Sequence, residues 1–275
     1  MIQVQNLSFS YGSKAVLNNI SLDVREGNIY GLLGENGVGK TTLLTLLCGL
    51  KKPQQGSILV DERNPFRREP SLLAEQFYLP DEVEPVQAKA VSFARETGSM
   101  WPRFEMEMFL EILREFEVDP QQKMDSMSTG QLKKTWIAFA LACRARYYYM
   151  DEPTNGLDIP SKSQFRKAIT KYTSEDSAIV ISTHQVRDLE NVIDPIIILD
   201  SQEVLVNASL EEIAAKLYFD YGPTLSPDAL YVEQTPGGCI QVRPNTEGLE
   251  SKVNLEAFFN TVHAHKDIVK SLLTR

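Results

Sequence analysis

The chain has 275 residues, of which 43% are hydrophobic, and 28 Lys+Arg against 37 Asp+Glu give it a net charge of −9. At about 150 residues per domain this is one substantial core with an appendage, and the apolar share is too high for a disordered chain. Charges of both signs are spread along the sequence, so there is no basic arm and no nucleic acid is expected as the main partner. Apolar runs are too short to span a bilayer, and the opening Met1-Ile2-Gln3-Val4 is not a secretory leader. Cys48, Cys143 and Cys239 are scattered without metal-ligand spacing. A reduced, cytosolic protein is the expectation.

In chain order, residues 2–8 alternate Ile2, Val4, Asn6, Ser8 against Gln3, Gln5, Leu7, the period of a half-exposed strand. Residues 20–24 and 28–33 are further strands across the turn Arg25-Glu26-Gly27. From Lys40, leucines at 43, 44, 46 and 47 predict an apolar helix buried against a sheet. Pro53 and Gly56 end this block, and 57–60 reads as a strand. Over 83–127, Val86, Ala90, Phe93 and Ala94, then Phe109, Ile112, Leu113 and Phe116, recur at helical spacing around Gly98 and Pro102. This is an inserted helical lobe, reaching about residue 145 once the helix of Leu132, Trp136, Phe139 and Ala140 is included. Strands at 147–150, 178–182 and 196–200 then alternate with a helix at 161–172. Such alternation predicts an α/β fold with a mainly parallel sheet. After Asp200 come a short helix near 209–217, a turn-rich stretch, a hairpin pairing 229–233 with 239–243, and two closing helices. The expected division is 1–205 for the main domain and 206–275 for an extension.

Gly34-Glu35-Asn36-Gly37-Val38-Gly39-Lys40-Thr41 fits G-x-x-x-x-G-K-[ST] at every fixed position, between an expected strand and an expected helix. Chance gives such a string in about one chain in a hundred of this length; chance does not supply the flanking elements. The glycines let backbone N–H groups turn inward, and the helix start adds donors and positive potential for phosphate. Lys40 would reach the β- and γ-phosphates, Thr41 would ligate Mg²⁺, and Thr42 completes the ATP-binding turn. Tyr147-Tyr148-Tyr149-Met150-Asp151-Glu152 is an apolar strand ending in two carboxylates. Alone it is a strand reaching the surface. With the phosphate loop, it is expected beside the loop's strand, with Asp151 on Mg²⁺ and Glu152 as general base. In Ser128-Thr129-Gly130-Gln131, Ser128 and Gln131 have the spacing of a capping box, and a capped helix start is also an anion site. His263 and His265 read as solvated helix ends.

Taken together, these motifs resemble the nucleotide-binding subunit of ATP-binding cassette (ABC) transporters over about residues 1–205. Met127 to Gln131 resembles the signature Leu-Ser-Gly-Gly-Gln, Asn155-Gly156-Leu157-Asp158 the D-loop, and His184 the switch histidine. Tyr11 matches the aromatic that stacks on adenine. The resemblance implies a P-loop NTPase with an N-terminal antiparallel β-subdomain, a helical subdomain and a small α+β C-terminal extension. It implies ATP and Mg²⁺ as ligands and two ABC subunits clasped head to tail. Each ATP would lie between one chain's P-loop and the other's Ser128, Thr129, Gly130 and Gln131, with His184 on the γ-phosphate and Asp158 coupling the sites. A separate integral membrane permease is the implied partner, with the cassette peripheral at the cytoplasmic face of the membrane. Its docking surface would be the helical lobe and the loop near Asp81.

One departure stands out. After Tyr78-Leu79-Pro80 the family has Gln, whereas this chain has Asp81-Glu82. At that place Asp81 would be a Mg²⁺ or water ligand. The region after 205 resembles extensions on subunits paired with ABC-2 type permeases, usually exporters, best over Asn254-Leu255-Glu256-Ala257-Phe258-Phe259-Asn260; the plain alternative is a packing flap or dimer brace. A soluble ABC ATPase acting in assembly, for example of iron–sulfur clusters, is allowed by the same motifs. A translation factor would carry two cassettes, a repair ATPase a long coiled coil, and a non-hydrolysing regulator would not need Glu152 and His184.

Overall fold

The computed structural model describes residues 1–273. β1 (Ile2–Tyr11) and β2 (Lys14–Val24) form an antiparallel hairpin. β3 (Asn28–Leu33) enters the main sheet and passes through the glycine-rich loop into α1 (Lys40–Leu47). β4 (Gln55–Val60) returns to the free edge of β1, completing an antiparallel sheet of order β2-β1-β4. After the single turn α2 (Pro70–Leu73), β5 (Gln76–Leu79) leads to a helical lobe of α3 (Ala90–Thr97), α4 (Met106–Glu115) and α5 (Thr129–Ala142). The lobe is organised by aromatic packing: Phe93, Trp101, Phe104, Phe109 and Trp136 all contact Phe139, from 4.9 Å for Phe93 to 6.4 Å for Phe109 between ring centroids.

The alternation then resumes with β6 (Tyr147–Asp151), α6 (Ile159–Tyr172), β7 (Ala178–Thr183), β8 (Ile196–Asp200) and β9 (Glu203–Ala208). The main sheet has the order β5-β6-β7-β3-β8-β9, parallel except for β9. Its central strands are apolar on both faces because both faces are covered. Tyr147 and Tyr149 pack with α1 and the N-terminal sheet. Tyr148 and Met150, one step along the pleat, pack with α5 and α6. The strand ending in Asp151 was expected beside β3; β7 lies between them, which puts the His184 segment between the two phosphate-facing strand ends.

The rest comprises α7 (Leu210–Lys216), β10 (Leu217–Gly222), β11 (Tyr231–Thr235), β12 (Gly238–Pro244), α8 (Leu255–Ala264) and α9 (Lys266–Leu273). The expected boundary at 205 falls inside β9, and Ile213, Leu217, Phe258 and Val262 share one buried cluster with Leu189 and Ile196. The expected hairpin forms with a shifted register: Thr235 pairs with Gly238, leaving a two-residue Pro236-Gly237 loop, and Tyr231 faces Val242. β12 also pairs with β10, in the stretch read as turns. His263, expected to be solvated, is only partly exposed: Phe259 packs on it at 4.4 Å between centroids, and its Nε2 is buried without a hydrogen-bond partner among the described residues.

Candidate functional site

The glycine-rich loop begins where β3 ends. Gly39, with φ +117°, is the N-cap of α1 and supplies no side-chain cap, so the helix's first N–H groups stay available to an anion. A methyl on Gly39 would stand 2.8 Å from Val16 Cγ1, and one on Gly34 would stand 2.5 Å from the Leu199 carbonyl oxygen. Only glycine lets the loop pass so close to its neighbours. Lys40, 7% exposed, curls back and donates to the carbonyls of Gly34 at 2.7 Å and Glu35 at 3.2 Å. Burial pushes its ammonium below the usual lysine range, partly offset by Glu152 and Asp151. Thr41 is exposed in the first turn, whereas Thr42 is buried and meets the Tyr11 hydroxyl at 3.3 Å. The Tyr11 ring is 48% exposed beside this helix, edge-on to Phe9, with the Lys51 ammonium 5.1 Å from its centroid. An exposed aromatic face next to a phosphate loop can accept a planar base.

Asp151 and Glu152 end β6. Ser182 on β7 donates to Asp151 Oδ1 at 2.5 Å, and the Glu152 N–H donates to the Ser182 hydroxyl at 3.0 Å. Glu152 itself has φ +44°, a left-handed backbone that lifts its side chain out of the strand's alternation. Its Oε1 lies 2.9 Å from His184 Nδ1 and 3.7 Å from Lys40 Nζ. Lys40, Glu152 and His184, far apart in sequence, thus meet at the carboxyl ends of three adjacent parallel strands, where open α/β sheets bind ligands. The hard oxygens of Thr41 and Asp151 at this loop fit Mg²⁺. Ser182 carried no signal of its own in the sequence; only the pairing of β6 with β7 reveals its role.

Ser128 caps α5 as expected: it accepts from the Gln131 N–H at 3.2 Å, while Gln131 Oε1 accepts from the Ser128 N–H at 3.0 Å. Thr129 is exposed, and a methyl on Gly130 would lie 3.8 Å from the Gly156 carbonyl oxygen. Asp158 caps α6 by accepting from the Ser161 N–H at 2.9 Å. Among the described residues, no hydrogen bond or ion pair joins 128–131 to the glycine-rich loop of the same chain. Asp81, expected as a Mg²⁺ or water ligand, faces two other side chains. Its carboxylate accepts from Asn155 Nδ2 at 3.1 Å and faces Lys133 Nζ at 3.8 Å, so the partners that turn it are an amide and an ammonium.

Comparison with known proteins gives the family and the fold. The ABC transporter family model matches residues 17–155. A probable ABC transporter ATP-binding protein of Azorhizobium caulinodans is 32% identical over 76% of this chain and 77% of its own. The SkfA peptide export ATP-binding protein SkfE of Bacillus subtilis is 30% identical over 72% of this chain and 85% of its own. Among solved structures, the dimeric ABC transporter cassette MJ0796 superposes with a TM-score of 0.68 at 23% identity, covering 76% of this chain and 99% of that one.

Proposed function

The chain belongs to the ABC transporter family as an ATP-binding protein, and from that premise we propose that it hydrolyses ATP in a head-to-tail pair of subunits to drive a separate membrane permease. The observation that carries this reading is the meeting of Lys40, Glu152 and His184 at one edge of the phosphate loop. Lys40 and the α1 N–H groups bind the phosphates, and the Tyr11 face takes the adenine. Glu152 accepts a proton from the attacking water as its oxygen bonds to the γ-phosphorus, and ADP leaves with the electrons of the broken P–O bond. His184 orients Glu152 through Nδ1. Thr41 and Asp151 would hold Mg²⁺, which when bound would supply neutralisation of the charge that develops on the phosphates.

The second subunit supplies Ser128, Thr129, Gly130 and Gln131 to each ATP, with the capped start of α5 as an anion site. Asp158 lies in the adjoining loop, positioned to couple the paired sites. The permease docks over an apolar groove of about 460 Å³ bounded by Cys48, Leu50, Leu73, Tyr78, Met100 and Trp101. Leu50 and Met100 are exposed there, at 51% and 63%. The groove reaches the helical lobe at Met100 and Trp101, and its lining does not include Asp81. Among the described residues no helix is long and apolar enough to cross a membrane, and the proposed station is the cytoplasmic face, held by that groove. SkfE is named for peptide export, which favours an export system; none of the relatives reported above is named for assembly. Phosphate release from ATP and Mg²⁺ by the purified chain, abolished by Lys40→Ala, tests the enzyme. Recovery of the chain with a multi-spanning protein from detergent-solubilised membranes tests the transporter.

A further inference from the structure

Lys133 lies in the second turn of α5, directly behind the capped segment 128–131. Its side chain is 3% exposed. A buried ammonium is costly unless paired and hydrogen-bonded. Here Nζ donates to the Asp81 carbonyl and to the Pro80 carbonyl at 3.3 Å, with Asp81 Oδ1 3.8 Å away. That same Oδ1 accepts from Asn155 Nδ2 at 3.1 Å, three residues beyond Glu152. Three segments therefore meet on one carboxylate: the loop leaving β5, the start of α5, and the loop after β6. A methyl on Gly130 would lie 3.8 Å from the carbonyl oxygen of Gly156, the residue after Asn155. A displacement of α5 against the main sheet must break these bonds. An apolar side chain at 133 would fill the space without the desolvation cost, so stability alone does not account for a charge here.

We propose that Lys133 and Asp81 form a charged latch that holds the 128–131 segment in register with the Glu152 loop, and that Asp81 serves this positioning role instead of ligating metal. The proposal rests on the ATPase reading above. Neither residue hydrogen-bonds to the phosphate loop, so ATP affinity and turnover should separate when the latch is cut.

The test compares the native chain with Lys133→Met, Asp81→Asn and the double variant. Turnover, KM for ATP and the Mg²⁺ concentration giving half-maximal rate are measured for each. Each single variant should lower kcat at least fivefold with KM changed less than twofold. The double variant should be slowed by less than the product of the single effects, because the two substitutions share the Lys133–Asp81 ion pair, although Lys133→Met also removes the bonds to the Pro80 and Asp81 carbonyls. Asp81→Asn should leave the Mg²⁺ midpoint unchanged. Multiplying single effects, or a Mg²⁺ midpoint raised fivefold by Asp81→Asn, would overturn the latch. If Lys133→Met does not fold, Asp81→Asn, altered at a partly exposed carboxylate, carries the comparison. Amide hydrogen exchange provides a readout independent of turnover. Cutting the latch should speed exchange in residues 129–135 and 154–157; unchanged exchange in both segments overturns it. A native chain without ATPase activity would instead refute the proposed function and leave the exchange result to judge the latch.

Discussion

Glu152→Gln changes one charge and almost no volume, at a side chain 10% exposed between His184 Nδ1 at 2.9 Å and Lys40 Nζ at 3.7 Å. An amide cannot accept the proton of the attacking water. The general-base contribution lost is about 10²–10⁴ in rate, or ~3–5 kcal/mol at 1.36 kcal/mol per tenfold. Binding should not fall with it. Lys40 keeps the Gly34 and Glu35 carbonyls at 2.7 and 3.2 Å, and a carboxylate that competes with phosphate for its ammonium is gone. Losing a charge-assisted contact costs the fold roughly 1.5–3 kcal/mol. At 2–4 °C per kcal/mol that lowers Tm by ~3–12 °C. Phosphate release at saturating ATP and Mg²⁺, paired with a thermal melt, reads both effects. Turnover within threefold of native, in a variant that still binds ATP, would refute Glu152 as the base.

Phe258→Ala empties a fully buried site in α8 whose ring packs 6.4 Å from Phe219, at a cost of about 3–5 kcal/mol. Because the extension shares its buried cluster with the main sheet, calorimetry should show one transition at lower temperature; a separate early transition with the main one unmoved would contradict this. Asp200 tests the same junction by pH. Burial raises its pKa, but hydrogen bonds from Lys266 and Ser201 and the Lys266 charge outweigh that and hold it below the usual range. Its stabilisation is thus complete above the ordinary Asp pKa of about 3.9 and lost as pH falls through the lower folded value. Native protein should exceed Asp200→Asn in Tm at pH 7, with the gap closing below about pH 4; a gap unchanged with pH would exclude the carboxylate's charge as the cause.

What was legible in the sequence was local. The glycine-rich loop, the paired carboxylates and the Ser128 capping box are contiguous strings whose chemistry is set by neighbours along the chain, and their geometry is found at those residues. The strands missed are short or amphipathic. β5 has four residues, β9 alternates as a half-exposed edge, and β10, rich in aromatics, runs into Gly222-Pro223 and so reads as a turn. The interposition of β7 between β3 and β6 is set by long-range pairing and leaves no local mark. Lys133 was passed over because a lysine on a helix ordinarily faces water; the carbonyls that bury it lie 52 and 53 residues earlier. The partners of Asp81 were hidden for the same reason, since Asn155 lies 74 residues later.

The central claim, that ATP is hydrolysed at sites shared by two copies, is tested most directly by mixing two inactive chains. Ser128→Arg places a large cation in the segment offered to the partner's ATP, and Lys40→Ala removes the phosphate-binding ammonium of its own loop. In a mixed pair, one site combines both defects and the other has an intact phosphate loop facing an intact 128–131 segment. With a native chain active by itself, the account predicts that each variant alone is inactive and that the mixture hydrolyses ATP. A mixture inactive at every ratio, from two folded variants, would contradict the shared site.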